Sequence, residues 1–228
     1  MNNNPVKYTD PSGHVANACL DNGWCGKTGN GLDLNFTGYT GWERRALEKL
    51  YLEGGTEAMH QVDFILENKI HIVVDTGWQT WGGATGAWFD ENSNTIILNS
   101  DPNAGSVNAN GQPTTWGLSL IVHEARHLEQ GSELSHSKIG EMDAWQVQFR
   151  VVKNLGGNLL GWQMDIMFAT DLKQFVDLVK TNNSDYWQRP GLGIGLYTYP
   201  DYPEYCWGPS DLCNGLISKP WWLRLNLP

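Results

Sequence analysis

Positive charge is scarce in this sequence. Of 228 residues, 15 are Lys or Arg against 25 Asp or Glu, for a formal charge of −10. Such a surface repels a polyanion over most of its area, so nucleic acid is not the expected partner. Long apolar runs are also missing: none approaches the roughly 18 residues that cross a bilayer, and no membrane span is expected. The start, "MNNNPVKYTD", lacks the basic and apolar regions of an export signal. Cysteine is limited to two close pairs, Cys19/Cys25 and Cys206/Cys213. Their gaps are wider than those of a structural zinc knuckle, which leaves disulfides or free thiols open. There is no internal repeat and no low-complexity tract.

Tryptophan and glycine, in contrast, are plentiful, at 12 and 26, and hydrophobic residues make up 40% of the chain. That suffices for a core, and the length favours one domain with at most a small appendage. The combination points to a loop-rich domain anchored by buried aromatics, ahead of a sugar-binding aromatic surface.

Residues 1 to about 38 are rich in Asn, Gly, Pro, Asp and Thr and read as linker and loop. Order begins at "TGWE", where Thr40 and Glu43 fit a capping box, and a helix is expected to about Leu52. Gly54 and Gly55 break it, and a second helix comes next with a stripe of Ala58, Val62, Ile65 and Leu66. "KIHIVVDTG" predicts a strand, and "AWFDENSNTIILNS" a hairpin around an Asn/Ser turn. Toward the end, "TDLKQFVDLVKTN" predicts an amphipathic helix with Leu172, Phe175, Val176 and Val179 in the core.

The chemistry concentrates in "TTWGLSLIVHEARHLEQGSELSHSKIGEMDAWQVQFR", Thr114 to Arg150. Leu118, Ile121, Val122 and Ala125 recur at helical spacing and form one buried face. His123 and His127 lie one turn apart on the other side, with Glu124 beside them. Two imidazoles so placed can hold one metal ion from a rigid backbone, and Glu124 is placed to take a proton from a water on that metal. The bland alternative is a pair of histidines brought together by accident on an amphipathic helix.

Catalytic zinc normally has three protein ligands. A His-x-x-Gly-x-x-His continuation is ruled out, because Gln130 and Glu133 occupy the Gly and His positions. A second helix from about Lys138 to Leu155 offers Glu141 on its packed face with Ala144, Trp145, Gln148 and Val152, whereas Asp143 is expected to project away. An acid on an apolar face needs a partner, and a metal ion would be one. His136, just before this helix, is the rival third ligand.

"LIVHEARHLEQG" followed by "GEMDAW" resembles the active-site helix and glutamate helix of zincin metallopeptidases of the glutamate-ligand kind, over roughly residues 69 to 155. The resemblance implies an α+β zincin-like fold with a small mixed sheet. It implies zinc on His123, His127 and Glu141, with Glu124 as general base in hydrolysing a peptide bond of a peptide or protein substrate. It also implies that "NTIILNS" is an edge strand that pairs with substrate; an interior strand is the alternative. Many members steady the oxyanion with Tyr or His, for which Tyr197, Tyr199, Tyr202 and Tyr205 are available.

Upstream, "NNNPVKYTDPSGH" resembles the end of the shared core of Rhs/YD-repeat proteins, with Pro5, Asp10, Pro11 and Gly13 on its Pro-x-x-x-x-Asp-Pro-x-Gly pattern. His14 stands where self-cleaving members usually carry Leu. The resemblance implies that residues 1–16 are a core or linker remnant and 17–228 the metallopeptidase domain. That domain would be the effector of a polymorphic toxin, secreted or delivered into a target cell, with an immunity protein as partner. Two other readings stand beside it: an inactive or zinc-free Trp-rich binding module, and a nuclease effector, which the charge disfavours.

Overall fold

The computed structural model describes residues 38–75, 86–90 and 92–188, together with Phe36, Leu196 and residues 199–201. The chain divides into two units, Met1–Tyr39 and Thr40–Pro228. The expected boundary at residues 16/17, the Rhs-like pattern and all four cysteines lie outside the described residues. The second unit is α+β and carries every helix and strand described.

Helices α1 (Gly41–Glu53) and α2 (Gly55–Glu67) open the unit. The glycine pair separates them as expected, with Gly55 at φ 84° turning the chain. The capping box does not form. Thr40 makes no side-chain cap, and Glu43 instead accepts from the Ile72 amide at 2.8 Å and meets His71 Nδ1 at 3.1 Å. A carboxylate that can bond a neighbouring strand in this way is lost to its own helix end. In α2, Ala58, Val62 and Ile65 are buried as the periodicity requires, and Gln61 joins them.

Strands β1 (His71–Asp75), β2 (Ala87–Asp90) and β3 (Thr95–Asn99) form a mixed sheet in the order β1-β3-β2. The hairpin is present, with β2 antiparallel to β3, while β1 runs parallel to β3. Its turn is held by Asp90, which accepts from Ser93 Oγ at 2.6 Å and the Asn92 amide at 3.1 Å. The position of β3 corrects the expectation that "NTIILNS" is an edge. It is the central strand, and Thr95, Ile96, Leu98 and Asn99 are all buried. An uninterrupted Ile-Ile-Leu run marks a strand covered on both faces and bonded on both sides, whereas a solvated edge alternates.

Helix α3 (Thr115–Ser135) comes after a 3₁₀ turn at Pro102–Ala104, and α4 (Lys138–Asn154) folds back along it. Each has a hydroxyl N-cap: Thr114 accepts from the Gly117 amide at 3.0 Å and Ser137 from the Gly140 amide at 3.1 Å. The α3 stripe of Leu118, Ile121, Val122 and Ala125 is buried, as its spacing predicts. The helix breaks at Gly131, whose φ of 75° and ψ of 167° are closed to side chains. That break, with the Ser137 cap, lets α4 run antiparallel to α3 so closely that a Cβ on Gly140 would lie 1.9 Å from the Leu134 carbonyl oxygen.

Helices α5 (Gly161–Met167), α6 (Leu172–Asn182) and α7 (Ser184–Gln188) close the far side of α4. Asp171 caps α6 by accepting from the Gln174 amide at 2.8 Å, and Leu172, Phe175 and Val179 are buried. They pack with Met142, Trp145, Phe149 and Ile166 in one cluster. Covered by α3 on one side and by this cluster on the other, α4 is buried nearly all round. No helix among the described residues is long and apolar enough to cross a membrane.

Candidate metal centre

The i, i+4 spacing on α3 places His123 and His127 one turn apart on one face, with their rings edge to face and their Nε2 atoms 3.0 Å apart. Glu141 enters from the first turn of α4, with Oε2 3.8 Å from His123 Nε2 and 3.6 Å from His127 Nε2. His123 and Glu141 are each 6% exposed. This buried His/His/Glu cluster could hold a metal. Donors about 2.0–2.1 Å from a tetrahedral ion stand about 3.3 Å apart, and the three separations bracket that value.

The electrostatics of the cluster also suits a cation. Burial pushes His123 down to about 3, reinforced by the charge of His127. Burial also pushes on His127, but the Glu141 carboxylate outweighs it and lifts the imidazole to about 9. Glu141 answers in kind: the cost of burying its charge is overcome by His127, and its pKa falls to about 2. With only protons to bind, the cluster gathers a positive charge against its carboxylate. A divalent cation would give that compensation to all three donors at once.

The surrounding residues orient the donors. Tyr186 of α7 donates its hydroxyl to Glu141 Oε2 at 2.7 Å, with the Trp145 ring behind it at a centroid distance of 4.9 Å. Gln130 Oε1 meets His127 Nδ1 at 3.0 Å. His123 Nδ1 is buried on the side of the Gln148 amide and the Ala144 carbonyl without a well-formed hydrogen bond to either, and Gln148 Nε2 is buried and unsatisfied in the same way. Glu124, partly buried, lines the same cavity as His123, His127 and Glu141, and its charge reaches His127.

His136 is held apart from the cluster. It caps the end of α3 as an exposed residue, its Nδ1 3.1 Å from Ser135 Oγ. Asp143 does not project away from the packed face. Its Oδ2 accepts from Arg126 Nε at 2.7 Å and from Gln130 Nε2 at 2.9 Å, tying α4 to α3. Arg126 also reaches Glu129 at 2.5 Å, and Glu129 in turn binds His60 Nε2 at 2.5 Å and Gln61 Nε2 at 2.7 Å of α2. Three helices are thereby fastened around the base of the cluster.

Of the candidate tyrosines, Tyr199 lines the cavity with its ring 6.0 Å from that of His136, and Tyr197, Tyr202 and Tyr205 lie outside the described residues. Sequence reasoning missed Tyr186, which lies 45 positions from Glu141 and has no periodic relation to it. Gln130 was legible in part: it stands three positions after His127, so the two share a helix face.

Comparison of the chain with protein-family models, with curated proteins and with solved structures gives no match.

Proposed function

We propose that the protein is a zinc-dependent hydrolase of peptide bonds with a zincin-like fold. The observation that carries this reading is the convergence of His123, His127 and Glu141 in a buried cluster, with Glu124 lining the same cavity. Zinc held there would supply Lewis acidity toward the scissile carbonyl and bring the pKa of an attacking water toward about 7. Glu124 would take the proton of that water and return it to the amine as the C–N bond breaks. Tyr186 would hold the Glu141 carboxylate in line through its 2.7 Å hydrogen bond. Gln130 would hold the His127 ring.

The cavity supports a peptide substrate over a polyanion. It encloses about 810 Å³, and among its described lining residues there is no Lys or Arg, while Trp88, Phe89, Trp116 and Trp162 supply apolar wall. Beyond the metal itself, a phosphate backbone would find no Lys or Arg among those residues to offset its charge. The N-terminal Rhs-like pattern extends the proposal. The domain would be a toxin effector acting outside the cell that makes it, restrained at home by an immunity protein.

Elemental analysis of the purified protein, with His123→Ala and Glu124→Gln beside it, tests the reading. Wild type and Glu124→Gln should carry about one zinc per chain and His123→Ala none. On an unstructured protein substrate, Glu124→Gln should lose about 10²- to 10⁴-fold in turnover. Near-normal hydrolysis by Glu124→Gln would remove its role as base. A wild type that binds no metal would leave the Trp-rich binding module.

A further inference from the structure

The Gln130 side chain makes three hydrogen bonds whose directions can be assigned without seeing a proton. One end approaches the Gly140 carbonyl oxygen at 3.0 Å and Asp143 Oδ2 at 2.9 Å. A carbonyl and an ionised carboxylate only accept, so that end is the NH₂ group. The other end is then the oxygen, an acceptor, and it lies 3.0 Å from His127 Nδ1. Nδ1 must therefore carry the proton.

We infer that Gln130 is a positioning residue which fixes the Nδ1–H form of His127 and so keeps its Nε2 lone pair available to a metal shared with His123 and Glu141. The selection matters because a neutral imidazole carries one proton on either nitrogen, and only the Nδ1–H form can ligate through Nε2. A ligating histidine is usually held by a carboxylate or a backbone carbonyl. Here a neutral amide does that work, and its polarity is set one step further out. Asp143 keeps its Oδ2 as an acceptor because Arg126 donates to it through Nε at 2.7 Å and NH2 at 2.7 Å. With Arg126 also bound to Glu129, the charge pattern runs from α2 through α3 to the face of His127.

Packing leaves the amide little choice of place. A Cβ on Gly140 would stand 3.2 Å from Gln130 Oε1, so the bare backbone of α4 is what admits the side chain. Gln130 occupies the last helical position before the break at Gly131, where the chain turns toward α4. The hydrogen bonds thus connect the ligand helix to the helix that brings Glu141.

The inference rests on the metal-site reading but not on any hydrolytic activity, and its first test needs no metal. In metal-free, ¹⁵N-labelled protein, at a pH high enough that His127 is a neutral imidazole, the ring ¹⁵N shifts should report a proton on Nδ1 and none on Nε2. An unprotonated Nδ1 in wild type would overturn the inference outright. Gln130→Met, which keeps length and loses all three hydrogen bonds, should speed exchange of that proton at least tenfold. It should also weaken cobalt(II) binding, followed by visible absorption, about 10- to 100-fold. Binding within twofold of wild type in a folded Gln130→Met would refute the positioning role. Should that variant fail to fold, the wild-type protonation state still decides. Failure of wild type to bind cobalt or zinc would defeat the proposed function instead, an outcome distinct from either result on His127.

Discussion

Arg126→Met separates the fastening of the cluster from the cluster itself. Arg126 is 5% exposed, and its guanidinium binds Asp143 at 2.7 Å and Glu129 at 2.5 Å. Methionine keeps the apolar stem and leaves two carboxylates, with side chains 21% and 19% exposed, without their cation. Breaking a buried ion pair from one side costs about 3–5 kcal/mol. The remaining donors moderate the loss: Gln130 still bonds Asp143, and His60 and Gln61 still bond Glu129. The expected cost is therefore the low end, about 3 kcal/mol, or about 6–12 °C in Tm for a unit of this size. Urea unfolding in chelator, where bound metal adds nothing to the apparent stability, should show a lower midpoint at unchanged slope. In a double-mutant cycle with Asp143→Asn, the two losses should fall short of additive. A loss below about 1 kcal/mol, or strict additivity, would show that the network adds little to stability.

Two further perturbations test the packing and the charges beneath it. Gly140→Ala should cost about 1–3 kcal/mol and weaken metal binding as well, because its Cβ meets the Leu134 carbonyl oxygen and presses toward Gln130; unchanged stability in urea would mean that the two helices can separate freely. Burial works to raise the pKa of Glu129, but the His60 hydrogen bond and the Arg126 charge overcome it and hold it at about 2 against an ordinary 4.5. Since the folded pKa is the lower one, this stabilisation is full above about pH 4.5 and is lost as pH falls toward about 2, with a ceiling of about 3 kcal/mol; in metal-free protein Glu129→Gln should flatten the acid limb of the stability curve, and an unaltered limb would contradict the assignment.

The sequence by itself determined the features that local period and local chemistry dictate. The stripe of Leu118, Ile121, Val122 and Ala125 specifies α3 and its buried face, and the four-residue step from His123 to His127 puts both on one face, because a helix turns once in 3.6 residues. Glu141 was legible as an acid on an apolar face, and the hairpin from its Asn/Ser turn. Tertiary structure alone decided the rest. β3 became central because a parallel partner, β1, arrives from more than twenty residues upstream, and strand order is not a local property. Glu43 left its own helix end for the Ile72 amide. Asp143 turned inward because Arg126, on another helix, offers a charge that solvent cannot match at a buried site. Tyr186 reached Glu141 only once α6 and α7 had folded back over α4. Each is a contact between segments distant in sequence, where the donor meets its acceptor only after the helices have packed.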